Sequence, residues 1–270
     1  MLLLGSSAFA RFVVPAGQRD ASGERAPWAS AITVLVLVVT GLGWFALEAG
    51  HAGNGWADAT NPAMWVALAG GTSFGQVWIW HLAISLVLLL ALLLPRDIGR
   101  SALLLGSSAL LISLGLVGHA AMQQGAVGWE HRINHMLHLL AAGFWVGAMP
   151  PVLLCLLALR AATKRHRAVA TLERFSGLGH AAVAVTLVTG IINTALTLGR
   201  LPVDFGSPYQ ALLALKIVLV AVMLSIALVN RYLLTPRLAL RGLVIGTIAE
   251  LVLGAAVIAL VSAFATYDPV

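Results

Sequence analysis

The chain has 270 residues, of which 60% are hydrophobic and only 10% charged, and it carries a formal net charge of +6. Soluble domains carry about 25% charged residues, so this composition excludes a water-facing surface of ordinary size. The basic excess does not point to nucleic acid either. The charges sit in short loops between apolar stretches, where a positive-inside bias puts them and where they meet anionic lipid headgroups.

Eight apolar segments are expected to cross the membrane, roughly at 2–16, 28–47, 76–95, 101–121, 132–158, 174–198, 209–230 and 242–265. Each approaches the ~20 residues needed to span a hydrocarbon core. They form one all-α polytopic domain, residues 1–270, with no soluble domain between spans. The first segment is short and interrupted by Arg11. Its Ala8-Phe9-Ala10 has the small-residue pattern of a signal-peptidase site, but a basic start is missing, so it is read as a helix. Residues 56–72 are too short and mixed to span, and predict an interfacial helix or re-entrant turn. Pro150-Pro151 removes two backbone donors within the fifth span and predicts a kink. The pairs Gly71/Gly75, Gly143/Gly147 and Gly242/Gly246 let helices approach closely. Cys155 is the single cysteine, which excludes a disulfide framework, and it is read as a packing residue.

Thirteen of the sixteen basic residues fall on one side of these spans. They are Arg11, Arg19, Arg25, Arg96, Arg100, Arg160, Lys164, Arg165, Arg167, Arg174, Arg231, Arg237 and Arg241. Only Arg132 and Arg200 fall on the other side, and Lys216 lies within a span. That split puts both termini in the periplasm. Trp44, Trp56, Trp65, Trp78, Trp80 and Trp129 then gather near the outer boundary, the level that amphipathic rings prefer.

The same orientation brings six of the eight histidines to the outer face. His51 lies in a loop, His81 near the end of span three and His119 at the end of span four. His131, His135 and His138 open span five at i, i+4 and i+7, one stripe of a helix, which continues through Ala142 and Trp145 to Met149. His119 and Met122 are three apart and predict a shared face. Imidazole suits copper, zinc and iron, and thioether selects Cu(I). The set His119, His135, His138, His131, Met122 and His81 therefore reads as a metal site for copper before zinc, with Glu130 a possible oxygen donor. The bland reading is interfacial histidines bonded to headgroups or water.

Two ionisable residues lie within spans, Lys216 in span seven and Glu250 near the middle of span eight. A charge at a helix centre costs at least about 2.5–3.5 kcal/mol and should face protein, water or a partner. They are expected to pair with each other or to line an ion or proton path with Met149, His180 and Asn193. Lys216 can also snorkel to the headgroups.

Several segments together are similar to the copper resistance protein D family of bacterial membrane proteins. They are Thr72-Ser73-Phe74-Gly75-Gln76-Val77-Trp78, Gly118-His119-Ala120 and His138-Leu139-Leu140-Ala141-Ala142-Gly143-Phe144-Trp145-Val146-Gly147. Phe175-Ser176, Thr189-Gly190-Ile191, Leu215-Lys216, Asn230-Arg231-Tyr232 and Pro236-Arg237-Leu238 follow in order. Ala148 departs from the family's glycine pair, and His135 stands where aspartate is common. The resemblance implies an eight-helix, multi-pass inner-membrane protein that moves copper from periplasm to cytoplasm, with a periplasmic copper-binding protein as partner. It carries a metal-handling role to His119 and His138.

Copper uptake is the leading expectation, with histidines capturing the ion and a path through Met149 or Glu250 conducting it. A monovalent cation gains about 2.3 kcal/mol per 100 mV of membrane potential. The alternatives are a haem b redox protein with axial histidines such as His119 and His138, and a copper sensor or scaffold without flux. Only the haem reading would make the chain an enzyme.

Overall fold

The computed structural model describes residues 1–15, 17, 27–264 and 267–269. Arg19 and Arg25 of the basic set lie outside the described residues, as do the expected limits of the first span at 16 and the eighth at 265. No strand occurs among the described residues.

The helices in chain order are α1 (Leu2–Val13, its second part a π-helical turn at Phe9–Val13), α2 (Pro27–Ala52), α3 (Trp56–Ala59), α4 (Pro62–Gly71) and α5 (Ser73–Ala91). They continue as α6 (Arg96–Leu114), α7 (Gly125–Ala158), α8 (Ala162–Leu198), α9 (Pro208–Val229) and α10 (Leu240–Phe264). A 3-10 turn at Gly118–Ala121 precedes α7, and a π-helical turn at Asn230–Leu234 extends α9.

Seven of these helices are long and apolar enough to cross a membrane: α2 and α5 through α10. The expected first span is corrected, and with it the shared side expected of the two termini, since an odd number of spans does not return the chain to the side it started from. At 1.5 Å per residue α1 rises only about 18 Å, well short of a hydrocarbon core of about 30 Å. The fourth span also ends earlier than its hydropathy suggested, at Leu114 rather than 121. Gly115 closes it, and Gly118 at φ 69° turns the chain where a side chain would be strained. At its other end α6 begins at Arg96, ahead of the apolar run. Pro95 precedes it and Asp97 lies in its first turn, where the helix dipole favours a carboxylate.

The chain folds as two compact units, residues 20–140 and residues 1–19 with 141–270. In the 20–140 unit, α3 and α4 form the short helical segment foreseen at 56–72. Asn54 and Asn61 donate to the Asp58 carboxylate at the α2–α3 turn, and those bonds hold its pKa below the ordinary carboxylate range. Thr72 joins α4 to α5 through one hydroxyl, which donates to Leu68 O at 2.9 Å and accepts from Gly75 N at 2.9 Å. A methyl group on Gly75 would fall on the Leu68 carbonyl, so the turn requires glycine. Phe45, Ala49, Leu68 and Trp78 form the core beside it.

In the other unit, α1 lies against α7 with Gly5 and Gly147 in contact. Phe9, Val13, Ala148, Val152 and Leu156 form the core there, with Phe9 and Phe175 ring centroids 5.8 Å apart. α9 and α10 run antiparallel, and Met223 and Gly254 meet where they cross Val146 of α7. Helix α7 runs unbroken through Pro150 and Pro151.

Most hydroxyls in the spans bond back to their own helix. Thr33, Thr40, Ser85, Thr186, Thr247 and Ser262 each donate to a carbonyl four residues earlier, which satisfies a polar group without a neighbour. Against that background the polar bonds between helices stand out, because hydrocarbon offers no water to replace them.

Candidate functional site

Among the polar bonds between helices of the described residues, those at Trp78, His81 and Glu250 mark the places where chemistry is possible. Trp78 Nε1 donates to Gly41 O at 2.9 Å, joining α5 to α2. His81 Nδ1 lies 2.8 Å from Ser113 Oγ, joining α5 to α6. Asn230 Nδ2 donates to Glu250 Oε1 at 2.8 Å, joining the end of α9 to the middle of α10.

His81 is only 7% exposed, and its ring stacks on Trp78 with centroids 4.6 Å apart and planes at 6°. Ser113 Oγ also lies 2.8 Å from Leu110 O and donates to it. A hydroxyl has one proton, so Ser113 accepts from His81 and the imidazole carries its proton on Nδ1. His131 repeats the arrangement. It is 2% exposed, and its Nδ1 faces Gln123 Oε1 at 3.0 Å, an acceptor that also assigns the proton to Nδ1. Both rings are left with Nε2 as the lone-pair nitrogen. Metal-ligating histidines are commonly oriented in this way, by an acceptor on the other nitrogen.

Three further histidines of the expected set lie near this end of α7. His119 lies in the 3-10 turn, within electrostatic range of His131. His135 and His138 on α7 have near-parallel rings, 6.4 Å between centroids. No group of three or more His, Cys, Asp or Glu side chains that could hold a metal ion occurs among the described residues. The expected helical face of His119 with Met122 is corrected, because α6 stops at Leu114. Met122 follows the 3-10 turn and is exposed.

The second place is a cavity of about 550 Å³ within the 1–19/141–270 unit, between α7, α8, α9 and α10. Its wall is largely apolar, with Glu250, Asn230, Trp145 and Met149 among the lining residues. Leu159 and Leu238 also line it, so the cavity reaches the end of the helices where α7 turns into α8 and α9 into α10. Glu250 is 3% exposed and is held by the Asn230 carboxamide and the Trp145 indole. Met149 packs in a buried cluster with Trp145, Ala182 and Met223. His180, at the cavity wall, bonds through Nδ1 to Ser176 O and meets the Tyr232 ring edge-on.

The expected pairing of Lys216 with Glu250 is corrected by register. Antiparallel packing sets Asn230 beside Glu250 and Lys216 beside Phe264, whose ring lies 5.9 Å from Nζ. Fourteen residues of α9 separate the two levels, about 21 Å along the helix. Asn193, on α8, is half-buried and does not line the cavity. Asn230 and Gly246 were not singled out in the sequence as site residues. The signal lay in a polar residue at the end of span seven and a glycine one turn before Glu250.

These features define a polytopic α-helical membrane protein with an imidazole-rich layer in one unit and a buried carboxylate cavity in the other. Residues 1–129 match the family described as copper resistance protein D-like, N-terminal domain, and residues 169–264 match copper resistance protein D. The chain is 33% identical over 276 residues to inner membrane protein YebZ of Escherichia coli (strain K12), covering 100% of this chain and 94% of the relative. It is 26% identical to copper resistance protein D of Pseudomonas syringae pv. tomato, over 87% of this chain and 78% of that one. It is 28% identical to copper transport protein CutJ of Bacillus subtilis (strain 168), over 79% of this chain and 40% of that one. No solved structure matches it. The chain belongs to the copper resistance protein D family and is a multi-pass protein of the inner membrane.

Proposed function

We propose that the protein carries copper from the periplasm into the cytoplasm and captures it at the imidazole layer. The observation that carries this reading is the pair of buried imidazoles, His81 and His131, each anchored through Nδ1 and left with Nε2 as a lone-pair donor. His119, His135 and His138 supply further nitrogen near the same end of α7. Such a layer suits an ion that accepts few ligands and passes from one to the next. Cu(I) is such an ion, and its preference for nitrogen and sulfur fits this donor set.

The charge split assigns this end to the periplasm, where a copper-binding protein would deliver the ion. The stripe from His131 to Met149 runs eighteen residues along α7, about 27 Å, close to the thickness of the hydrocarbon core. One helix spans the distance from capture to release, which supports a transport reading. The haem alternative finds no support in the family matches, whose descriptions concern copper resistance.

Copper content of cells expressing the protein, with protein levels matched between variants, tests the reading. Accumulation above the empty-vector control that falls in His81→Ala and His131→Ala is expected. Accumulation equal to the control, or unaffected by both changes, refutes it.

A further inference from the structure

Glu250 sits where an ionised carboxylate has no charged partner. It is 3% exposed, and both groups that hold it, the Asn230 carboxamide and the Trp145 indole, are neutral. The titratable groups on the surrounding wall are Glu173 and His180 of α8 and Arg231 beside Asn230. All three are exposed. His180 is turned to Ser176 O and the Tyr232 ring. An ion left without a charged partner inside a protein costs several kcal/mol.

Asn230 supplies the complementary anomaly. Its Nδ2 donates to Glu250 Oε1, while its Oδ1 is buried and has no hydrogen-bond donor among the described residues. Such an orphaned acceptor costs about 1–3 kcal/mol. Gly246 keeps the carboxamide in place, since a methyl group there would collide with both of its terminal atoms. One proton removes both anomalies. On Glu250 Oε2 it would neutralise the carboxylate and supply an O–H for Asn230 Oδ1, closing a reciprocal acid–amide pair with the existing Nδ2–H···Oε1 bond.

We infer that Glu250 and Asn230 form a proton-binding site, loaded from water entering the cavity at the α7–α8 and α9–α10 turns. On loading, a proton passes from that water to Oε2 and the acid donates to Asn230 Oδ1. On release the proton returns to cavity water, and the Asn230 and Trp145 N–H groups hold the anion. The site's role as a coupling site rests on the uptake reading, which it deepens by naming the proton as the ion exchanged when copper passes. The site itself stands on the cavity and the orphaned acceptor.

Infrared difference spectra of the purified full chain, recorded across a pH titration, read the carbonyl stretch of a protonated buried carboxyl. A titrating band is expected that disappears in Glu250→Gln, shifts in Asn230→Ala and persists in Glu173→Gln. Glu250→Asp, which keeps an ionisable group, should retain a displaced band and guards against a misfolded glutamine variant. No such band at any pH, or a band that Glu250→Gln leaves in place, overturns the site. Proteoliposomes containing a trapped pH dye and given Cu(I) test the coupling. Copper entry with proton movement that Glu250→Gln abolishes supports it. Copper entry without proton movement overturns the coupling and leaves uptake standing. A titrating band with no copper entry in the parent overturns uptake and leaves the proton site standing.

Discussion

Gly5 of α1 and Gly147 of α7 meet backbone to backbone, so closely that a methyl group on either would overlap the other's main chain. The N-terminal helix is too short to span and is held by this contact and by the Phe9–Phe175 packing beneath it. Overpacking a tight contact costs about 1–3 kcal/mol and more when backbone cannot move. Gly147→Val should therefore lower the thermal midpoint of the purified protein by several degrees. Gly177→Ala, where the added carbon meets open space, should leave the midpoint unchanged. Equal midpoints for the two variants would show that α1 does not need the contact.

Gly246→Ala should act at a distance of one helical turn, by pushing the Asn230 carboxamide away from Glu250. Copper accumulation should fall towards the level of Glu250→Gln, although neither position 246 nor the added methyl is polar. Accumulation like the parent's would separate the Asn230–Glu250 bond from function.

Ser113→Ala removes the acceptor that orients His81. A buried N–H left without an acceptor costs about 1–3 kcal/mol, and the ring is then free to change tautomer. Both thermal stability and Cu(I) affinity should drop. Ser85→Ala on α5, whose hydroxyl donates within its own helix to His81 O, should change stability by less. Identical behaviour of the two variants would make His81 a packing residue.

Removal of an orienting partner from a metal histidine costs about 10–100-fold in affinity, and removal of the imidazole itself should cost at least that. His119→Ala and His138→Ala are therefore expected to weaken Cu(I) binding by that factor in competition titrations of purified protein. His166→Ala, on the basic first turns of α8, should bind like the parent. Parental affinity in all three would reduce the histidine layer to interfacial hydrogen bonding.

The charge split gives a topology that reporter fusions can read. A periplasm-active reporter fused after residue 125 should be active, and one fused after residue 165 inactive. The reverse pattern would exchange the two ends and, with them, the direction assigned to copper.

Seven of the helices were legible because an apolar run of membrane length leaves few alternatives, and the α3–α4 segment because its run was too short. The errors have physical causes. Hydropathy measures how apolar a stretch is, and it could not tell α1, an apolar helix docked on Gly147, from a true span. It also carried the fourth span past Leu114, because Leu116 and Val117 are as apolar as a helix while Gly115 and Gly118 end one. Glu250 was recognisable from its depth alone. Its partner was not, since pairing Asn230 with Glu250 depends on the antiparallel register of α9 on α10, and local pattern does not encode that register. The histidine stripe of α7 was visible at helical spacing, whereas the Ser113 and Gln123 acceptors that fix two tautomers belong to other elements.

Helices α5 and α6 have 19 residues each, whereas α7 has 34 and α8 has 37. At 1.5 Å per residue the shorter pair measures about 28 Å and the longer pair about 51 and 56 Å. A bilayer core of about 30 Å fits the first pair upright and leaves the second with some 20 Å to spare. The surplus is taken up by tilt or by standing clear of the lipid. Lys164, Arg165, His166 and Arg167 on the first turns of α8 are all exposed, so the surplus of α8 at this end is charged rather than lipid-facing. Limited digestion at Lys164–Arg167 would be the simplest gauge of which compartment this end of α8 stands in.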